Sequence, residues 1–345
     1  MRRLLRWFKS KIAVKLPALP ALARPLARSR FLSARFKDPT AETLFKLDPR
    51  PELGYRLYVP GGSSRRHSLP LIVMLHGCRQ DSLTFAEGTR MNTLAEAARC
   101  AVLYPEQSTQ ANPLRCWNWF DQASIAGRGE AAFIAHLIDK VVKRRRIDPQ
   151  RVYLAGMSAG GAMACLLAIR HSRLFAACAI HSGIMYGAAA SPMQALSVMR
   201  SGAAPTSVTA ARKLVREAGA SGIAVPTLVI HGDRDTTVNP VNADQIIEQM
   251  KECIEFADPA AGAVLAGSHV HIATEGHAYR QQDYTQQGRL MLRKILVDGL
   301  GHAWSGGDSR LEFNDAQAPD AGQLILDFVM SHRREVHTIA AASVG

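Results

Sequence analysis

Arg151-Val152-Tyr153-Leu154-Ala155-Gly156-Met157-Ser158-Ala159-Gly160-Gly161-Ala162-Met163 is the stretch on which the reading of the chain turns. Val152, Tyr153 and Leu154 read as a buried strand, and Ala162, Cys165, Leu166, Leu167 and Ile169 continue with the spacing of a helix packed on a sheet. Between them lies a G-x-S-x-G turn, in which a serine hydroxyl is exposed on a sharp bend between strand and helix. Ser158 is therefore the candidate nucleophile, with the amide of Ala159 placed to stabilise an oxyanion. Glycines at 156, 160 and 161 suit the bend because a side chain there would crowd the crossing of strand and helix. Alone, the motif is also what a small-residue turn looks like, so the rest of the chain has to decide.

Working outward, apolar strands alternate with helical patterns. Tyr55 to Val59 and the wholly apolar Leu69 to Leu75 read as strands, the second as a central one. Residues 89–99 read as a helix, Ala101 to Tyr104 as a strand, and residues 129–146 as a long amphipathic helix ending in Lys143-Arg144-Arg145-Arg146, a run that suits a solvated helix C-terminus. After the elbow come strands at Phe175 to Ile180 and Pro226 to Ile230, a helix over residues 241–254, one or two strands within 278–298, and a closing helix over about 319–332. Residues 184–222 are rich in Ala, Gly, Ser and Met without clear period and read as a cap over the site. The alternation predicts an α/β chain with a mostly parallel, doubly wound sheet and helices on both faces.

At 345 residues and 47% hydrophobic content the chain can bury a sizeable core. No uninterrupted apolar run of about 18 residues occurs, so a membrane-spanning helix is not supported. The net charge of +13 is uneven: residues 1–37 hold eleven Lys and Arg and no acid, which accounts for all but two of the excess charges. The protein thus has a basic arm and a nearly neutral body, and nucleic-acid binding is not expected. Leu4, Leu5, Phe8 and Ile12 share one helical face of that arm, which suits an anionic membrane or granule surface. A disordered solubilising arm is the alternative. Lys9, Lys11 and Lys15 make a poor signal peptide, and Pro17, Pro20 and Pro25 predict an irregular linker up to about residue 40. The domain plan is an arm over 1–40, a catalytic domain over 41–333 and a tail over 334–345. Of six cysteines, Cys165 and Cys178 lie in apolar runs and read as buried thiols.

Acyl transfer by a hydroxyl needs a base to take its proton and an acid to fix the base's tautomer. Ser158, Asp235 and His302 each follow an expected strand, in the chain order of the α/β-hydrolase arrangement. Asp233 is the rival acid. The G-x-x-D-x-x-V spacing favours Asp235, further out on the loop. His76, just after a central strand and far upstream of the serine, marks an oxyanion loop whose amides around Gly77 and Cys78 complement Ala159. His269 and His271 alternate like ligands, but without a third ligand at metal spacing they read as a surface strand. This chemistry calls for no metal and no cofactor.

Five ordered motifs now carry a resemblance: Leu75-His76-Gly77-Cys78-Arg79-Gln80, Cys116-Trp117-Asn118-Trp119-Phe120, Gly156 to Gly161, His231-Gly232-Asp233-Arg234-Asp235 and Gly301-His302-Ala303-Trp304. Together they resemble the polyhydroxybutyrate depolymerase family of esterases, which includes feruloyl and acetylxylan esterases. The resemblance implies an α/β-hydrolase serine esterase with Ser158, Asp235 and His302 as triad and His76, Gly77, Cys78 and Ala159 around the oxyanion. Trp117, Asn118, Trp119 and Trp304 are the expected substrate-binding residues, and a Cys78–Cys116 disulfide is suggested. The substrate class implied is hydroxyalkanoate oligomers or short, amorphous polyester, with feruloyl or acetylxylan esters as the alternative of the same mechanism. A non-catalytic coat for a granule or membrane is the alternative of another class. The N-terminus as read points to the cytoplasm or a peripheral surface, the family to an extracellular location. Family members that erode crystalline polyester carry an adsorbing domain after the catalytic one, so weak action on crystalline polymer is expected of a chain with 43 residues after His302.

Overall fold

The computed structural model describes residues 28–37, 52–62, 68–218 and 224–334. The strands are β1 Arg30–Lys37, β2 Glu52–Val59, β3 Leu69–Leu75, β4 Ala101–Glu106, β5 Ile147–Met157, β6 Ala177–His181, β7 Thr227–Gly232, β8 Leu265–Ile272, β9 Tyr279–Gln286, β10 Arg289–Val297, and the short pair β11 Trp304–Ser305 and β12 Asn314–Asp315. The helices are α1 Ser82–Gly88, α2 Met91–Ala98, α3 Gln122–Ile125, α4 Gly129–Arg145, α5 Ala159–Arg170, α6 Pro192–Ser201, α7 Pro205–Ala218, α8 Val241–Ala257 and α9 Ala321–Met330.

Ten strands form one sheet in the order β1-β2-β4-β3-β5-β6-β7-β10-β9-β8. The six from β4 to β10 run parallel, and antiparallel strands extend the sheet at both edges. Alternation along each central strand feeds two cores. Leu71, Val73 and Leu75 of β3 and Val152 and Leu154 of β5 face the layer of α4, α5 and α8. Ile72, Met74, Tyr153, Ala155 and Met157 face that of α1, α2 and α9. Because both faces are covered, Leu69–Leu75 is an unbroken apolar run rather than an alternating one. Every parallel strand ends on the same edge of the sheet. There the loops after β3, β5, β6, β7 and β10 gather, the usual place for a site in such a sheet.

Three expectations change. The linker expected up to about residue 40 is not irregular throughout: Arg30–Lys37 pairs residue for residue with β2, and its inward Phe36 packs on Phe133. The signal lay in the alternation of Phe31, Ser33, Arg35 against Leu32, Ala34, Phe36, which the basic charge obscured. The aperiodic stretch 184–222 contains two helices, α6 and α7. A helix unread in the sequence, α1, follows the His76 loop and is capped by Asp81, whose carboxylate accepts from the amides of Leu83 and Thr84. His269 and His271 lie on β8, an exposed edge strand, where His271 meets Asp298 at 3.0 Å. The arm up to residue 27 and the tail from 335 lie outside the described residues. Among those described, no helix is long and apolar enough to cross a membrane.

Candidate active site

Ser158 sits between β5 and α5 with φ 57° and ψ −122°, a conformation that costs a side-chain-bearing residue about 1–3 kcal/mol and survives only where its surroundings impose it. Here they do. A Cβ on Gly156 would strike the carbonyl of Gly160, and one on Gly160 would strike the carbonyl oxygens of Leu75 and His76. The Ser158 amide is held by the carbonyl of His181 at 2.9 Å, and its own carbonyl accepts from Ala162 as the first bond of α5. Ala159 opens that helix, so its amide belongs to the turn that the helix itself leaves unsatisfied.

Asp235 and His302 arrive from the loops after β7 and β10. Asp235 Oδ2 accepts from Nδ1 of His302 at 2.7 Å, while Oδ1 accepts from the amides of Thr237 and Val238 at 2.9 and 2.8 Å. His231 Nε2, which donates to the carbonyl of Val238, lies 3.4 Å from the same Oδ2. Burial alone would push the Asp235 carboxyl up, but the hydrogen bonds from His231 and His302 outweigh it and hold the group well below the usual carboxylate range. With Nδ1–H directed at a carboxylate, His302 keeps Nε2 as an acceptor. Asp233 is occupied elsewhere: it takes the amide of Gly299 at 2.7 Å and Arg280 at 3.1 Å, and so braces the loop that leads to His302. The Ser158 hydroxyl makes no hydrogen bond among the described residues, and such contacts commonly tighten only around substrate.

The loop after β3 is built differently from expectation. Gly77 packs against Ser158, a Cβ there falling 3.4 Å from the serine Cβ, but its amide donates to Gln80 Oε1 at 2.9 Å. Gly77 is therefore spent on closing its own turn and is withdrawn as an oxyanion donor. The amide of Cys78 makes no hydrogen bond among the described residues. His76 is fully buried: Nε2 accepts from the amide of Gln107 at 3.1 Å, so Nδ1 carries the proton and donates to the carbonyl of Gly77 at 2.8 Å. Burial lowers its pKa to about 4, and its role is to shape the loop as a neutral ring. Cys78 and Cys116 form a disulfide with Cα atoms 4.2 Å apart, and Arg79 donates its amide to Leu114 at 2.7 Å. The two loops are thus joined by a covalent and a backbone bond.

The three tryptophans expected at the substrate are buried. Trp117 and Trp304 are 0% exposed and Trp119 5%. Trp117 packs on the His76 ring and Trp304 stacks on His181, so both are walls behind the loops. Asn118 spends its side chain on Asn112 and Glu130. Sequence reading missed Gln80, Gln107 and Glu130, which organise this region. Glu130 accepts from the Asn118 amide at 2.8 Å and from Gln107 Nε2 at 2.7 Å, and its pKa is raised by burial against those bonds. An acid in the first turn of α4 was the available signal, but helix-end acids are common on surfaces. Among the described residues no group of three or more His, Cys, Asp or Glu could hold a metal ion.

The family described as Esterase PHB depolymerase matches residues 53–272. The chain belongs to this family. Among relatives of the PHB depolymerase esterases, poly(3-hydroxyalkanoate) depolymerase C of Paucimonas lemoignei is 35% identical over 196 residues, covering 56% of this chain and 46% of that protein. Feruloyl esterase B of Thermothelomyces thermophilus is 29% identical over 255 residues, covering 70% and 81%. The chain spans about half the length of the depolymerases it matches. An acetyl xylan esterase structure from Aspergillus awamori superposes with a TM-score of 0.64 at 20% identity, over 81% of this chain and 94% of that one. That likeness concerns the fold, which is the α/β-hydrolase fold.

Proposed function

We propose that this member of the family is a serine carboxylic-ester hydrolase that cleaves hydroxyalkanoate oligomers or short, amorphous polyester through an acyl-enzyme. The observation that carries the reading is the hydrogen bond between buried Asp235 and part-buried His302, with the imidazole fixed in the tautomer a general base needs, beside a serine held on a strained elbow. Ser158 Oγ attacks the ester carbonyl as His302 Nε2 takes its proton. The oxyanion is met by the amides of Ala159 and Cys78, with His76 and Gln80 shaping the loop that presents the second. Collapse of the tetrahedral intermediate expels the alcohol, which leaves with the proton from His302. Water, activated by the same imidazole, then releases the acid and restores the serine.

A feruloyl or acetylxylan substrate is the second reading, favoured by one observation: a feruloyl esterase relative aligns over 81% of its length, where the depolymerases align over about half. The deciding experiment sets hydroxybutyrate oligomers, feruloyl esters and acetylated xylan side by side, with Ser158→Ala as control and a fluorophosphonate as label. The proposal expects oligomer turnover, labelling of Ser158 alone, and loss of both in the variant. Normal turnover by Ser158→Ala sinks the mechanism, and preference for the sugar esters selects the second reading.

A further inference from the structure

Of the nine non-glycine residues with positive φ among those described, Arg79 and Phe313, each at φ 64°, lie one beyond the other next to His302. Strain of this kind gathers at functional sites because ordinary surroundings relax it. For Arg79 the cause is visible: the Cys78–Cys116 bridge precedes it and its amide is tied to Leu114. The outcome is a guanidinium held 5.9 Å above the Phe313 ring, which is itself edge-on to the His302 ring at 6.3 Å. One aromatic ring separates a cation from the general base. Arg79 meets Glu312 at 3.3 Å, with the two side chains 61% and 67% exposed, a weak and exchangeable pair. Its neighbour Arg115 is committed to structure, lying 3.4 Å from Asp81 and 4.0 Å from Glu106.

We propose that Arg79 recognises the free carboxylate at the end of a hydroxy-acid ester, so that the enzyme selects carboxylate-terminated hydroxyalkanoate oligomers over neutral esters. This rests on the serine-esterase reading above. In a 3-hydroxyalkanoate dimer the terminal carboxyl carbon is three bonds from the ester oxygen. That oxygen is the leaving group and has to lie against His302 to be protonated. We place the Arg79 cation, one ring beyond His302, on that leaving-group side. A guanidinium takes a carboxylate in a two-pronged pair that a neutral ester cannot supply. The substrate carboxylate takes the place of Glu312 on Arg79, and the 67% exposed Glu312 carboxylate returns to water. Acetyl and feruloyl esters of sugars carry no carboxylate on that side.

The test compares kcat/KM for the 3-hydroxybutyrate dimer as free acid and with its carboxyl capped as a primary amide, for wild type, Arg79→Gln, Arg79→Lys and Glu312→Gln. Both substrates are read on one preparation, so the folded fraction cancels in the acid-to-amide ratio. Arg79→Gln should lower that ratio by about tenfold or more, Arg79→Lys should restore part of it, and Glu312→Gln should raise it. A ratio unchanged by Arg79→Gln overturns the proposal, and wild-type turnover of p-nitrophenyl butyrate then leaves the esterase reading standing. No turnover of any ester, with no labelling of Ser158, overturns both.

Discussion

Replacing Asp235 by Asn changes one atom and should nearly abolish activity, for a reason that the hydrogen bonds make explicit. Oδ1 of Asp235 accepts from two backbone amides, those of Thr237 and Val238, and neither can turn away. An Asn oxygen has to stay there, which puts the amide nitrogen where Oδ2 faces His302 at 2.7 Å. A donor at that place stabilises the tautomer with its proton on Nε2, and that nitrogen can no longer accept from Ser158. Loss of the working tautomer costs on the order of 10⁴-fold in kcat, or about 5 kcal/mol of barrier. Asp233→Asn is the matched control. It keeps an oxygen for the Gly299 amide and gives up a partly exposed pair with Arg280, worth about 1 kcal/mol or less, so kcat should fall by less than about tenfold. Initial rates on p-nitrophenyl butyrate, with thermal melts to verify folding, separate the two. Equal losses in the variants, or rates near wild type for Asp235→Asn, would refute the argument.

Two further outcomes follow from the loops and from buried histidines. Replacing Cys78 and Cys116 by Ser opens a cross-link across a sequence separation of 38, worth up to about 4 kcal/mol in the chain-entropy account. It also frees the loop carrying the Cys78 amide, so kcat should drop with little change in KM, and a variant with wild-type kcat would exclude that amide as a fixed donor. Burial pushes His76 down to about 4 and His181 to about 3, whereas the unfolded chain takes up these protons near the ordinary value of about 6.5. Between those values the unfolded state binds more protons, so stability is complete above about pH 6.5 and is lost as the pH falls towards 4. Each ring contributes about 2 kcal/mol to the loss between pH 7 and 5. A melting temperature that stays flat over that interval would contradict it.

The fold was readable because its signals are physical extremes. A continuous apolar strand such as Leu69–Leu75 exists only in a sheet covered on both faces, and glycines around a serine admit few bends. The order Ser158, Asp235, His302 was legible for the same reason: each residue follows a strand end. What stayed hidden depends on side-chain direction. Nothing in Trp117-Asn118-Trp119 tells which way a ring turns, and the rings fill the interior behind His76. The claim of Gln80 on the Gly77 amide likewise arises from a turn only three residues long, in which the side chain competes with substrate for one donor. β1 was lost under its charges, because Arg30, Arg35 and Lys37, all exposed, looked like part of the arm.

The contacts of Gly156 and Gly160 carry a consequence for how this frame can change. Ser158 is located by main chain pressed on main chain, Gly160 against the carbonyls of Leu75 and His76 and Gly156 against that of Gly160. No neighbouring side chain sets the distance, so exchanging the residues that line the mouth leaves the position of Ser158 where it is. Substrate preference can then drift through mouth positions such as Arg79 and Phe313 while the reacting geometry stays constant. For redesign this separation is practical: libraries belong at the rim, and the glycines stay fixed.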